Sequence, residues 1–279
     1  MINNSIRNTN QLNRNERVAQ RNRERLASGR QINRAADNAA GLAISEGLIN
    51  QLMGLDQAIQ NSLDGANMLR TADGALSGQS EVLGRVRELT IQSANDTLSS
   101  EQRGMISREI DQLLGEVDRL STDTQFNGQG LIDGSQTDRR LQVGANAGQR
   151  LSAYVGAVNV DTMGLSHFRQ MFSDAAATGV PVAGRALSDM IDRVDTALET
   201  LSTARAGIGA LENRLEHTLN SNREASINTA AANSRIRDTD MARATMDHTR
   251  DQLLGQVDVA MRLHSQVHMR SGMRLLSDL

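Results

Sequence analysis

The chain has 279 residues and a formal net charge of −3, with aromatics at 1% of residues, one proline and no cysteine. A thick core built on aromatic side chains is excluded, as are a disulfide scaffold and cysteine-based zinc sites. No apolar run is long enough for a membrane-spanning helix, and the single proline, Pro181, leaves room for long helices.

The chain opens with an Asn- and Arg-rich stretch in which strong apolar positions are few: Ile6, Leu12, Val18 and Leu26. It has no apolar signal-peptide core, so export with a cleaved leader is not expected. Every basic residue is Arg, which reads as genomic base composition. From about Gly41 to Asn95, Leu48, Leu52, Leu55, Ile59, Leu63, Ala66 and Leu69 step by four or three. That spacing predicts one nearly continuous helix, roughly 80 Å long, weakened locally at Gly74 and Gly78. Ser99 to Gln102 offers an N-cap for a second helix running to about Leu120, with a seam of Ile106, Ile110, Leu113, Val117 and Leu120.

Between Phe126 and Pro181 the pattern changes. Asn127-Gly128 and the glycines at 130, 134, 144, 148 and 156 are turn signals. Leu141–Val143 and Leu151–Val155 read as strands of a β-hairpin around Asn146-Ala147-Gly148, while residues 160–185 show no clear period. Helix returns from about Ala186 to Ala232, with a seam of Leu187, Ile191, Val194, Leu198 and Leu201 that resumes at Ile208, Leu211 and Leu215. Met241, Met246, Leu253, Leu254, Val257, Met261 and Leu263 follow at helical spacing. A single narrow stripe must pack on another helix. The expected fold is therefore mainly α: long antiparallel coiled-coil helices from both chain ends, with a small β-hairpin in the middle of the sequence. Neither end carries enough apolar surface to offset its ordering entropy, so both are expected to order on meeting partners.

Signals for catalysis are weak. His264 and His268 share a helix face by spacing, but Ser265 stands where a metalloprotease has its Glu, and no third ligand is evident. The glycines from Gly128 to Gly134 fit no phosphate-binding loop. The Arg-rich stretch 7–34 would suit phosphates, yet the chain is slightly acidic and short of aromatics for stacking. No enzyme, cofactor, metal, nucleic-acid or membrane-inserted role is expected.

Several blocks in order resemble bacterial flagellin. Leu26-Ala-Ser-Gly29 followed by Ile32-Asn-Arg-Ala-Ala-Asp-Asn-Ala-Ala-Gly-Leu-Ala-Ile-Ser45 is similar to its N-terminal signature, and Arg85 to Asn95 to its second. Thr124 to Gly128 and Leu141 to Asn146 follow, and Ser234 to Ala242 and Ala260-Met261 resemble the C-terminal hinge and terminal helix. The resemblance covers about residues 26–160 and 190–262. It implies an inner filament-core domain from residues 1–40 and 234–279, and a helical middle domain from 41–160 and 186–233. A short connector at 161–185 stands where outer domains are inserted in other members.

The implied function is that of a secreted structural subunit, exported unfolded and polymerised with itself into a helical motility filament. Its partners would be the flagellar export apparatus, an export chaperone, the filament cap and the hook-junction proteins. By the same resemblance Arg85, Leu89 and Glu109 match the patch read by Toll-like receptor 5, a surface that also packs against neighbouring subunits. Leu113, Val117, Leu198 and Leu215 read as seam residues that hold the subunit together. The chain departs from the family at Arg23, where Leu is usual, at Met269, near a usual Pro, and through Arg262 to Arg270 and Ser277 to Leu279. The alternative is a hook–filament junction protein, which shares the two-ended helical design; a generic cytoplasmic coiled coil is a third reading.

Overall fold

The computed structural model of the chain describes residues 2–135, 139–153, 155–178, 180, 182 and 184–277, without the side chains of 2–9, 11, 12, 265, 268, 269 and 271–277. Tyr154, Pro181, Asp278 and Leu279, and the side chains of Ile6, Leu12, His268, Met269 and Ser277, thus lie outside the described residues. In chain order the elements are helices α1 (Ile2–Ser28), α2 (Ala39–Ser93) and α3 (Ser100–Asp123), strands β1 (Gln125–Phe126), β2 (Gln129–Gly130), β3 (Arg139–Gln142) and β4 (Arg150–Ala153), then helices α4 (Ser166–Thr178), α5 (Gly184–Arg237) and α6 (Met241–Ser277). They divide into two compact units, Met53–Ala225 and Met1–Leu52 with Ser226–Leu279.

The unit from Met53 to Ala225 is a bundle of α2, α3 and α5. Helix α2 passes Gly74 and Gly78 without a break; a Cβ on Gly74 would meet nothing, and one on Gly78 would touch only Leu120. Helix α3 starts with a reciprocal capping box: the Ser99 hydroxyl accepts from Gln102 N–H, and the Gln102 side chain accepts from Ser99 N–H. Two of the four N–H groups left unpaired at a helix start are satisfied in this way. Cross-helix pairs give the directions. Arg85 meets Glu109 while Gln79 meets Val117, and Arg87 meets Asp195 while Asp73 meets Arg205. The numbers run oppositely in each case, so α3 and α5 are both antiparallel to α2.

The core is aliphatic, as the composition requires. Leu69, Leu76, Leu83 and Leu89 of α2, Ile110 and Leu114 of α3, and Leu187, Met190 and Leu201 of α5 are fully or almost fully buried. The seam on α3 runs through Ile106, Ile110, Leu114, Val117 and Ser121, leaving Leu113 and Leu120 half-buried beside it. On α5 it runs through Leu187, Met190, Val194, Ala197 and Leu201, with Ile191 and Leu198 alongside. The core of this unit is wider than a single stripe. It also takes in the β-hairpin and α4, so the buried arc of each helix turns by one position.

Asn127 and Gly128 both have positive φ, 51° and 73°, the pair of left-handed residues that a tight two-residue hairpin demands. They join β1 to β2. The larger hairpin pairs β3 with β4 antiparallel, Leu141 opposite Leu151. It lies on the bundle because two glycines of α2 make room: a Cβ on Gly54 would come within 2.9 Å of Ala145, and one on Gly65 within 2.5 Å of Leu141. Amides from two helices pin it. Asn61 donates to Gln142 O at 3.0 Å and Asn222 to Val143 O at 2.8 Å. In the stretch 160–185 the structure places α4, which buries Phe168, Phe172 and Ala175. Asp118 of α3 holds this region by accepting from Val160 N–H at 3.0 Å and pairing with Arg169 of α4.

The other unit is built differently. It contains α1, α6 and the adjoining turns of α2 and α5. Among its described residues Ile32, 3% exposed, is the one buried hydrophobic side chain. A short antiparallel bridge between Arg30 and Asp238 ties the chain's two halves together there, with Gln31 N–H donating to Arg237 O at 2.7 Å and Thr239 N–H to Gly29 O at 3.0 Å. Gly29 reaches this bridge at φ +66°, in the left-handed region that favours glycine.

Candidate assembly and recognition surfaces

The charged face of α2 and α3 is organised by ion pairs. Arg85 lies between two carboxylates, with Glu109 Oε1 at 3.0 Å and Glu88 Oε2 at 3.2 Å. Those hydrogen bonds, Glu109 first, hold its guanidinium above the usual arginine range. Arg87 and Asp195 pair at 2.6 Å, which raises the arginine and lowers the Asp195 carboxyl. Arg119 likewise pulls the Glu116 carboxyl down through their hydrogen bond. All these groups are well exposed, where such pairs add little to stability. They set a pattern of charge on the surface.

Of the patch anticipated from sequence, Arg85 and Glu109 are exposed and touch each other. Leu89 is 2% exposed and packs in the core of the same unit. Glu88 completes the cluster. Of the seam residues, Val117 and Leu215 are buried, while Leu113 and Leu198 are partly buried against the same cluster.

The turns of the unit containing both chain ends explain residues that periodicity cannot. The Asp37 carboxylate accepts from Asn33 N–H at 3.2 Å and Arg34 N–H at 3.1 Å, and Asn38 Oδ1 accepts from Gly41 N–H at 2.9 Å, capping α2. Arg34 pairs with Glu24 at 2.6 Å. On the other strand of the hinge, Asp240 Oδ1 accepts from Ala242 N–H at 3.0 Å and Arg243 N–H at 3.2 Å, capping α6, and Ser234 donates to Asp238 at 2.6 Å. Ser45 is fully buried and donates to Asn233 Oδ1 at 2.7 Å. Along α6 the large apolar side chains face outwards: Met241, Met246 (66% exposed), Leu253, Leu254, Val257, Met261 (63%) and Leu263.

The sequence matches the bacterial flagellin N-terminal helical region over residues 2–137 and the bacterial flagellin C-terminal helical region over residues 191–273. The chain belongs to the flagellin family. Flagellin from Halalkalibacterium halodurans is 39% identical over 253 residues, covering 91% of this chain and 90% of that protein. Flagellin from Bacillus subtilis is 36% identical over 304 residues, covering 99% of each. A solved Vibrio parahaemolyticus protein described as flagellar hook-associated superposes with a TM-score of 0.59 over 72% of this chain and 100% of that one, at 14% identity, a likeness of fold alone.

As a flagellin, the chain is a structural subunit of a flagellar filament, a mainly helical protein that polymerises with its own kind. The hinge turns and caps above are the N-terminal signature and C-terminal block seen as geometry. Among the described residues no helix is long and apolar enough to cross a membrane, and no three His, Asp or Glu side chains are grouped to hold a metal ion.

Proposed function

We propose that the chain acts as a non-enzymatic, secreted subunit, exported unfolded through the flagellar export apparatus with an export chaperone. On this reading it is added beneath the filament cap to a polymer that begins at the hook-junction proteins. Residues 1–40 and 234–279 form the inner filament core, 41–160 and 186–233 the middle domain, and 161–185 a connector in place of outer domains. The observation that carries this reading is the contrast between the two units. The unit containing the chain ends buries Ile32 alone among its described hydrophobic residues, while α6 holds a row of large apolar side chains in water. Monomers rarely leave such surface uncovered. Further copies of the chain would cover it, so that ordering of the ends is coupled to assembly and each added subunit stabilises the previous ones.

Arg85 and Glu109, exposed and paired, with Leu89 buried nearby, are the residues that the resemblance assigns to the Toll-like receptor 5 patch, and recognition by that receptor is part of the proposal. The filament reading is tested by deleting the gene and imaging the cells. Loss of the bulk filament is expected. A cell that instead sheds another chain's subunits unpolymerised would point to the junction role.

A further inference from the structure

Helices α1 and α6 pair through polar side chains. Asn15 donates Nδ2–H to Asp258 Oδ2 at 2.5 Å, and Asn22 donates Nδ2–H to Asp251 Oδ2 at 2.6 Å. The asparagines stand one heptad apart on α1 and the aspartates one heptad apart on α6, in the order that an antiparallel pair requires. All four are half-buried. Between these two rungs Ala19 and Gly255 line an open cleft of about 250 Å³, shared with Glu16, Arg23, His248, Gln252 and Val259, and a Cβ on Gly255 would meet nothing within 4 Å. Met246, Leu253, Val257 and Met261 of α6 are exposed.

This arrangement inverts the usual helix pair, in which apolar knobs hold the seam and polar groups face out. An apolar seam tolerates sliding, because one methyl group substitutes for another. A hydrogen-bonded rung does not. A slip of one heptad preserves one rung at most and strands the other amide and carboxylate, and a slip of one turn strands all four groups. Stranded polar groups cost most where protein covers them and water cannot reach.

We infer that the Asn15–Asp258 and Asn22–Asp251 rungs are the register-determining contacts of the terminal helix pair, selecting the alignment of α1 on α6 that is competent to polymerise. The inference rests on the reading that copies of this chain cover the exposed side of α6. The rungs are positioning residues.

The test uses the full-length chain. Because it has no cysteine, an Ala19→Cys, Gly255→Cys background reports register through a short bis-maleimide cross-linker, and seeded polymerisation reports assembly. Asn22→Asp sets two carboxylates against each other. It should lower cross-linking and reduce polymer yield roughly tenfold or more. Adding Asp251→Asn reverses the rung and should restore both readouts to within about twofold of the parent. Adding Asp258→Asn to Asn22→Asp corrects the net charge at the wrong rung and should not rescue. The inference is overturned if Asn22→Asp behaves as the parent, if the matched reversal fails to rescue, or if the mismatched combination rescues equally well. If cross-linking follows the rungs while the parent chain never forms fibres, the register assignment stands and the filament reading falls.

Discussion

Leu89 shows how a residue can matter to a surface without being on it. Its side chain is buried among Val86, Ile110 and the rest of the core, while Arg85, one helical turn earlier, faces solvent and holds Glu109. Removing buried leucine atoms costs the lost transfer energy and leaves a cavity as well, about 2–5 kcal/mol in all. Leu89→Ala is therefore expected to lower the urea midpoint of the Met53–Ala225 unit clearly. Arg85→Ala, which removes an exposed ion pair, should leave that midpoint nearly unchanged while reducing receptor signalling. Equal midpoints for Leu89→Ala and the parent would show that the side chain is not in the core.

Among the elements, helix ends carry as much information as helix faces. Helix α6 has little buried apolar surface of its own, so its cap is a large share of what starts it. Asp240 supplies that cap through two backbone N–H groups and sits at the helix N-terminus, where negative charge is favoured. Asp240→Ala should cost about 0.5–2 kcal/mol of helix stability. The expected readout is a lower yield of polymer in seeded assembly, with Asp240→Asn largely retaining it because its side-chain oxygen still accepts. If the Ala and Asn variants are indistinguishable from the parent, α6 is started by something other than this cap. Helix α4 makes a related point. Two of the three phenylalanines of the chain are on it, and Phe168 and Phe172 bury themselves in the bundle. The stretch 161–185 thus contributes side chains to the core of that unit.

For the whole molecule, the two units differ in how their helices are held. One has a contiguous aliphatic core closed by a hairpin and a short helix; the other has one buried hydrophobic residue and a polar seam among its described residues. Regions with few buried apolar contacts open at low free energy. An arginine-specific protease acting on dilute monomer should cut within α1 and α6 well before it cuts between Met53 and Ala225. Both units carry many arginines, so any difference reflects protection and not the supply of sites. Ends as resistant as the middle would remove the basis for coupling order to assembly.

The sequence by itself determined a great deal. Three-four spacing and the near absence of proline dictate long helices, because a narrow apolar stripe has no other way to be buried. Ser99 with Gln102, and Asn127 with Gly128, announce a helix start and a tight turn through local chemistry alone. Such features depend on neighbours a few residues away, and the chain encodes them directly. The tertiary structure decided the rest. Which of Leu113 or Leu114 faces inwards, and whether Leu89 is a surface or a core residue, depends on where a third and fourth element land around the helix. The partners of Asn61, Gln79 and Asn222, and the rungs joining Asn15 and Asn22 to Asp258 and Asp251, lie far away along the chain. Polar residues at helical positions look alike in one dimension; only the approach of a distant backbone or carboxylate gives each one its role.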